Sequence, residues 1–414
     1  MGADLVSVDA ALKEHYTNDR VENMVYLDQT FLAMIAKNED FGGKSLPIPL
    51  IYGNPQGRSA TFTQAQKRGA ATTTKYEDFV IKRVKDYSIA TIDNEAMEAS
   101  KGNSNAFVDV CTQEIDGAIR SLKDSIGQKI WGNGSGTIGK VGSIVGNTIV
   151  LDNPDSVVNF EVGQEIVGAA TELSGAIRAL GSSGNGLFVV KVDRVGGILN
   201  FGLAPTDATN GIPLLVAGDN LFIRGDRNEA GGASLVMQGI PAWIPRTNPT
   251  STLFWGVDRS IDETRLGGLR YDASAKPIEE GIVDALHFAS RHECVPDHLF
   301  LSHTDHGALA KAMGSRIQII DVKVTPTIGF RGFEFQGPKG VVKVFADKNI
   351  NQGDSWAVKL NTWKLHSLGK AWRPLDTDGL KMLRQGTADG VEVRYGGYMQ
   401  LGCNAPGYNM YVAL

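Results

Sequence analysis

The sequence predicts an α+β protein built from several structural units. Three observations support this: a long helix with apolar residues at spacings of three and four, a run of short strands after it, and an earlier pair of strands separated by a polar segment. With 414 residues, the chain is longer than one small core requires. Its 42% hydrophobic and 21% charged residues are an ordinary balance for a folded protein.

Composition excludes several classes of function. A net charge of −5 argues against electrostatic binding of nucleic acid by the chain as a whole. The three cysteines, Cys111, Cys294 and Cys403, form no C-x-x-C pair, which argues against a disulfide framework or zinc ribbon and predicts a reduced, cytoplasmic origin. The first residues do not have the pattern of a secretory signal. No apolar run reaches the length of about 18 residues that a membrane-spanning helix requires. We therefore expect no membrane partner.

The first 44 residues are predicted to form an N-terminal arm. Apolar residues between Val21 and Ile35 follow helical spacing, and the pattern stops at Gly42 and Gly43. Since no partner helix lies nearby in sequence, we expect this arm to pack on another element.

Residues 45–93 are predicted to form an extended β-hairpin. The stretches "SLPIPLIYG" and "YEDFVIKRVKDYSIATID" are strand-like, and the segment between them is polar and rich in Thr, Ala, Gln and Gly. Ordinary hairpin loops have about two to five residues, and a much longer tip is usually functional or ordered by a partner.

Residues 104–131 give the clearest helical pattern in the chain. A helix of this length would extend about 40 Å.

The glycines that follow it, Gly134, Gly136 and Gly139, match G-x-G-x-x-G. A dinucleotide site needs a strand before this motif and a helix after it, whereas here the order is reversed. The glycines are therefore predicted to end the helix and turn the chain, and no nucleotide cofactor is expected.

The remainder divides into two regions. Residues 138–240 contain short strands and turns, the pattern of a small inserted β-barrel or sandwich. From 241 the pattern is mixed: Pro277 begins one helix, and Asp305 is a candidate N-cap for a second. Strands follow, and the C-terminal tail is again strand-like.

Five histidines lie close together in the sequence of the mixed region, and histidine is a common metal ligand. They are His287, His292, His298, His303 and His306. The stretch "HECVP" breaks the H-E-x-x-H motif at its last position, which favours a solvated helix end over a metal site.

We find no G-x-S-x-G elbow and no evident acid/base pair. The sequence thus predicts no enzyme and no catalytic, cofactor or metal residue; a metal-dependent hydrolase using this cluster is the alternative from another class.

The order of these parts resembles the major capsid proteins of tailed bacteriophages, the Hong Kong 97-like fold, over nearly the whole chain. The stretches that carry the resemblance are "EIDGAIRSLKDSIGQKIWGNGSGTIGKVGSI", "GIPAWIP", "FWGVDRSIDETRLGGLRY", "GPKGVVKVFADKNINQGDSWAVKLNTWKLHSLG" and "YGGYMQLGCNAPGYNMYVAL". None of them is a catalytic signature, so the specificity comes from their order.

The resemblance implies a fold of named parts. They are an N-terminal arm (1–44), an extended loop (45–93), a peripheral domain with a spine helix (94–137 and 371–414), an inserted β domain (138–240) and an axial domain (241–370).

The resemblance also implies a function. The chain would be a coat protein that assembles through pentamers and hexamers into an icosahedral head around a double-stranded DNA genome. It would be found in the virion capsid after assembly in the host cytoplasm. Its partners would be copies of itself, a separate scaffolding protein, a portal, in some cases a decoration protein, and DNA bound without sequence specificity. The shell of an encapsulin-like protein compartment shares the fold and is the alternative; a cargo-loading groove would distinguish it.

On this resemblance, six residues at the hairpin tip are intersubunit contacts: Phe62, Gln64, Gln66, Lys67, Arg68 and Lys75. A solvated, disordered tip is the alternative for a free monomer. Some family members join a loop lysine to an asparagine covalently, but no matching pair is identifiable in this sequence.

Overall fold

The computed structural model of the protein describes residues 29–95, 104–313, 319–325, 328–376, 379–380, 382–386 and 388–414. Most of the predicted arm, residues 1–28, lies outside them. The helices are, in chain order, α1 Thr30–Met34, α2 Phe62–Ala71, α3 Ser104–Ile130, α4 Ile240–Trp243, α5 Ile278–Arg291 and α6 His303–Met313.

The strands of the first half are β1 Ala36–Asn38, β2 Leu46–Gly53, β3 Lys75–Ile81, β4 Val84–Asp93, β5 Thr137–Val145, β6 Thr148–Leu151, β7 Glu165–Ala169, β8 Leu187–Asp193, β9 Ile198–Phe201 and β10 Asn220–Ile223. Those of the second half are β11 Leu253–Phe254, β12 Val257–Asp258, β13 Leu269–Asp272, β14 His298–Leu301, β15 Ile319–Thr325, β16 Ile328–Gly337, β17 Gly340–Ala346, β18 Asp354–Val358, β19 Trp363–Ser367, β20 Arg373–Pro374, β21 Leu383–Arg384, β22 Gly390–Cys403 and β23 Met410–Ala413.

The fold is a mixed α+β one, as the sequence predicts. The chain forms two compact units. The first comprises Met1–Phe41, Arg83–Gln238 and His366–Gln400, and the second comprises Gly42–Lys82, Gly239–Leu365 and Leu401–Leu414. The division into an arm, an extended loop and peripheral, inserted and axial domains stays a prediction.

Helix α3 is the longest described helix and belongs to the first unit. Its 27 residues agree with the predicted range to within one residue, and they extend about 40 Å. The face formed by Ile115, Ile119, Leu122, Ile126 and Ile130 is almost completely buried. The described end of the arm packs here as well, because the Phe31 and Trp131 rings lie 5.9 Å apart.

Gly134 and Gly136 lie between α3 and β5, and Gly139 lies inside β5, so a helix precedes the motif and a strand follows it, as the sequence predicts. Gly134 has a φ of +79°, and a Cβ there would stand 1.9 Å from the Gln238 side chain. Gly139 lies inside β5, where a Cβ would come within 2.9 Å of the Phe160 ring. The motif is therefore explained by a chain reversal and close packing.

A closed six-stranded barrel follows, with the strand order β10-β5-β6-β9-β8-β7. All of its pairings are antiparallel. Alternate residues point inward, so side chains such as Ile149, Leu187 and Phe201 form a closed apolar core. That this barrel is the inserted domain of a capsid fold stays a prediction.

The strand expected over residues 76–93 is divided in two. β3 pairs with β2 in the second unit, whereas β4 pairs antiparallel with β22 along ten successive residues in the first unit. β22 also pairs with β20, β21 and β19, which completes a six-stranded sheet with β1. The sequence is strand-like on both sides of the division, so periodicity alone does not reveal it.

The second unit contains a seven-stranded mixed sheet with the order β13-β23-β18-β14-β17-β16-β15. Two of its pairings are parallel, β13 with β23 and β14 with β17. Helices α5 and α6 contribute Ile282, Leu286, Ala289 and Leu309 to the core that the sheet shares with them. Pro277 precedes α5 directly, as expected.

The first turn of α6 corrects the predicted N-cap. The Ser302 hydroxyl accepts a hydrogen bond from the Asp305 amide at 3.0 Å and donates one to the Asp305 carboxylate at 2.8 Å. Ser302 is therefore the cap, and Asp305 occupies the third helical position, where it also accepts from the Gly353 amide at 2.9 Å.

No helix within the described residue ranges is long and apolar enough to cross a membrane.

Helix α5 ends in a Schellman motif with an unusual residue at its left-handed position. The Cys294 amide donates to the Ala289 carbonyl at 3.0 Å, and the Glu293 amide donates to the Ser290 carbonyl at 3.4 Å. Glu293 has a φ of +63°. Glycine usually occupies this position because a Cβ is disfavoured there.

We predict that Glu293→Gly stabilises the protein by about 0.5–1 kcal/mol. Removing the steric cost of a Cβ at a left-handed φ raises the free energy of unfolding by about 1–2 kcal/mol. The greater conformational freedom of glycine in the unfolded chain offsets about half of this gain. Urea unfolding measures the difference. Glu293→Ala is the control, because it removes the carboxylate and keeps the penalty. Equal stabilisation by both variants would contradict the backbone explanation.

Candidate intersubunit interface

The hairpin that carries the predicted contact residues is fixed at its root by an aromatic cluster. On the inner face of β2 and β3, the Phe79 side chain is fully buried, and its ring lies 5.1 Å from that of Trp243. The Phe254 ring lies 5.1 Å from Trp243 in an edge-on arrangement. The Val80 amide donates to the Trp255 carbonyl at 2.9 Å, which ties β3 to the same loop.

A half-buried arginine completes this root. Arg259 donates from Nη1 to the carbonyls of Ala242 at 2.8 Å and Trp243 at 3.0 Å, and its guanidinium lies 4.1 Å from the centre of the Phe254 ring. Burial, and secondarily the charge of Arg270, lowers the pKa of Arg259 to about 10. The arginine stays charged at neutral pH and donates to both carbonyl groups.

The outer face of the hairpin is exposed and mostly apolar, with Asp78 as its one charged residue. Pro47 stands opposite Val80, Pro49 opposite Asp78, and Ile51 opposite Tyr76. Ile51 is 56% exposed and Tyr76 is 61% exposed. An apolar ladder of this kind is typical of a surface that another chain covers.

The tip between the two strands contains a short helix that the sequence pattern does not predict. Helix α2 spans ten residues, all described, and none of its side chains is buried. The Gln56 amide donates to the Thr72 hydroxyl at 3.0 Å, which closes the base of the tip. Helices shorter than about 12–15 residues are marginal in water without tertiary packing.

All six predicted contact residues lie at this tip and are exposed. Phe62 begins α2 and is 81% exposed. Three others, Gln64, Gln66 and Lys67, are exposed along the helix, and Arg68 lies in its last turn. Lys75 begins β3, with its ammonium 6.0 Å from the centre of the Tyr52 ring. Their contact with a neighbouring subunit stays a prediction.

Sequence reasoning missed the outer face of the strands. Six side chains belong to it and precede or follow the predicted set, five of them apolar or aromatic and one an aspartate: Pro47, Pro49, Ile51, Tyr76, Val80 and Asp78. The signal was present, because "LPIPLIYG" places apolar residues at both odd and even positions. A strand that is apolar on both faces is expected to be covered on both.

The histidine cluster is divided among separate elements. His287 lies on α5, and His303 and His306 lie at the start of α6. His298, on β14, is hydrogen-bonded through Nδ1 to Asp297 at 2.7 Å and stacks on Phe345. Burial, and then the nearby His303, lowers the pKa of His306.

Over the described part of the chain, no group of three or more His, Cys, Asp and Glu residues could hold a metal ion. The hydrolase alternative therefore has no described ligand set.

A partly buried charge cluster joins three segments of the first unit. The Lys129 ammonium lies 2.9 Å from the Asp86 carboxylate and 3.8 Å from that of Asp226. The Ser125 hydroxyl donates to Asp86 at 2.8 Å. Burial raises the pKa of Asp226; Lys129 opposes this effect, and the Asp86 charge adds to it.

No protein-family model matches the chain, and no curated protein matches it. Solved structures do resemble it over most of their length. The capsid asymmetric unit of cyanophage A-1(L) is 10% identical, with a TM-score of 0.46, and the match covers 94% of this chain and 92% of that one. The virus-like particle from Pyrococcus furiosus is 8% identical, with a TM-score of 0.39 and 95% of each chain covered.

The major capsid and decoration proteins of phage G give 7% identity, a TM-score of 0.39, and coverage of 91% of this chain and 87% of that one. The chain is similar to solved phage capsid proteins.

We predict that Phe79→Ala destabilises the protein by about 3–5 kcal/mol, because it leaves a cavity beside Trp243. Phe62→Ala is the matched control: it removes the same ring from an exposed position and should change stability by less than about 0.5 kcal/mol. Urea unfolding monitored by tryptophan fluorescence measures both. If the two variants lost similar amounts of unfolding free energy, Phe62 at the tip would have to be packed within a single chain.

We predict that Asp226→Asn changes the pH dependence of stability. Because the pKa of Asp226 is raised in the folded protein, its carboxyl takes up a proton there at a higher pH than in the unfolded chain. The wild-type protein therefore gains stability as the pH falls towards 3.8, the ordinary pKa of an aspartate. The asparagine variant lacks this gain. Its stability relative to wild type should therefore increase as the pH rises from about 4 to 7, as measured by urea unfolding. A difference that is constant with pH would contradict the raised pKa.

Proposed function

We propose that this protein is a capsid shell subunit, the major coat protein of a phage head. One observation carries the proposal: the hairpin offers an apolar outer face and a tip helix without a buried side chain. A two-stranded ribbon is marginally stable in water. When only one of its faces is covered, the apolar side chains of the other face stay in contact with water until a second chain covers them. Neighbouring copies of the same chain can supply that cover throughout a closed shell.

The finer assignments follow from the resemblance of the sequence to Hong Kong 97-like proteins. The shell would be built of pentamers and hexamers around double-stranded DNA, with assembly in the host cytoplasm. A separate scaffolding protein and a portal would be partners. Weak contacts repeated many times hold such a shell, because each bound copy restrains its neighbours. No part of this role requires a catalytic residue.

Electron microscopy of the protein, expressed alone and together with any co-encoded scaffolding protein, tests the proposal. We expect uniform closed shells. If both preparations contain only monomers or dimers, the shell assignment is wrong.

A tip deletion gives a second prediction. The Gln56 amide and the Thr72 hydroxyl lie 3.0 Å apart, so excision of residues 57–71 with a short glycine closure leaves β2 and β3 joined. We expect this variant to melt at the wild-type temperature as a monomer and to form no shells, since it lacks most of the contact residues. A Gly-Ser insertion after Gly146, in an exposed turn of the barrel, is the control and should assemble. A tip deletion that assembles normally would refute the contact assignment and leave the shell function standing.

A further inference from the structure

A lysine and an aspartate of the first unit are held in contact at a place with little access to water. Lys129, near the end of α3, has its ammonium 2.9 Å from the carboxylate of Asp86 on β4. Their side chains are 10% and 17% exposed. The hydroxyl of Ser125, one turn earlier on α3, donates to the same carboxylate oxygen at 2.8 Å. The nitrogen and the carboxyl group are therefore held close enough for one to attack the other.

A second carboxyl group lies beside the same nitrogen. Oδ1 of Asp226 is 3.8 Å from the Lys129 ammonium. Burial raises the pKa of Asp226, so its carboxyl keeps a proton at a higher pH than an exposed aspartate does. A protonated carboxyl beside an amine and a carboxylate can give a proton to one and take a proton from the other, which is general acid–base catalysis.

The surroundings of the pair are largely apolar and include space for one water molecule. A cavity of about 10 Å³ borders Lys129 and Asp86, and its other walls include Ile126, Met237 and Trp372. This is close to the volume that one water molecule needs. The Trp372 indole N–H is buried and has no hydrogen-bond partner among the described residues, so it is available as a donor to such a water. Poor hydration also makes the charged pair costly relative to a neutral amide.

An exposed pair of the same residue types differs in each of these respects. The Lys276 ammonium lies 2.5 Å from the Asp284 carboxylate, but the two side chains are 41% and 48% exposed. The other group that the Lys276 ammonium contacts is the Tyr271 hydroxyl, which is a far weaker acid than a carboxyl. Water stabilises both charges at such a site, and we expect this pair to remain an ion pair.

We propose that Lys129 and Asp86 become joined by an amide bond between their side chains, with Asp226 as the proton carrier. Nζ of Lys129 bonds to Cγ of Asp86, and one Cγ–O bond breaks. The ammonium loses two protons, which leave with the released oxygen as one water molecule. Asp226 passes protons from the nitrogen to that oxygen and ends with the proton that it held at the start. The step consumes no other reactant.

The bond lies within one chain, so the inference goes beyond the proposed function and does not depend on it. It would join β4 to α3 through residues that are 43 positions apart in sequence. A covalent link across a loop of this size restricts the unfolded chain. The bonded protein should therefore resist unfolding better than a variant that cannot form the bond.

Mass spectrometry of the denatured wild-type protein tests the proposal. We expect a mass about 18 Da below that of the sequence, the loss of one water. Trypsin cannot cleave after a bonded Lys129, so residues 86–101 and 124–140 should appear as a single linked product. Residues 271–291 contain the exposed pair within one tryptic peptide and should keep their full mass.

Three variants identify the reacting groups. Lys129→Arg keeps the charge and lacks the reactive amine, so it should have its full mass. Asp86→Asn should lose about 17 Da when it reacts, because ammonia leaves in place of water. Asp226→Asn should form the bond at least about tenfold more slowly, and Asp226→Glu should restore it in part. Circular dichroism shows whether each variant is folded, and the wild-type mass is decisive without them.

Two results would overturn the bond. One is a wild-type chain of full mass, both freshly purified and after prolonged incubation, since Lys129 and Asp86 would then form an ion pair only. The other is a loss of about 18 Da that persists in Lys129→Arg, which would place the dehydration elsewhere, as at an Asp-Gly step. Unchanged bond formation in Asp226→Asn would overturn the role of Asp226. None of these results bears on the shell assignment, which electron microscopy tests separately.

Discussion

A two-stranded β-ribbon has two faces, and the described residues of this chain cover only one face of the β2–β3 hairpin. The covered face is fixed by the contact of Phe79 with Trp243, with Phe254 and Arg259 completing the cluster. Because the root is held in this way, the opposite face and the tip are presented in a defined orientation within the second unit. The apolar ladder and the exposed tip helix both depend on that anchorage.

Residues that resemble chemical motifs are explained by packing. Gly139 allows the Phe160 ring to approach β5, and Gly134 makes room for the Gln238 side chain. His298 pairs with Asp297 and stacks on a phenylalanine of the adjacent strand. In each case a short-range sequence pattern suggests a ligand, and the three-dimensional partner is another side chain of the same unit.

The accuracy of the sequence predictions follows the strength of the local signal. Helix α3 is predictable to within one residue because its apolar residues repeat at helical spacing over most of its 27 residues. Helix α2 has no such signal: "FTQAQKRGAA" lacks an apolar stripe, and the described residues bury none of its side chains. The cap of α6 had a signal that was overlooked, since Ser302 and Asp305 have the spacing of a capping box.

The sequence by itself determined the local elements and their order: the long helix, the glycine reversal, the short strands after it and the two strands of the hairpin. It also determined the charge of the tip and the prolines of β2, which are properties of composition. Only the tertiary structure decided that β4 leaves the hairpin to pair with β22, and that Phe79 rather than Ile51 faces the core. Periodicity records how residues repeat along one segment, whereas strand partners and buried faces depend on contacts between segments that are distant in sequence.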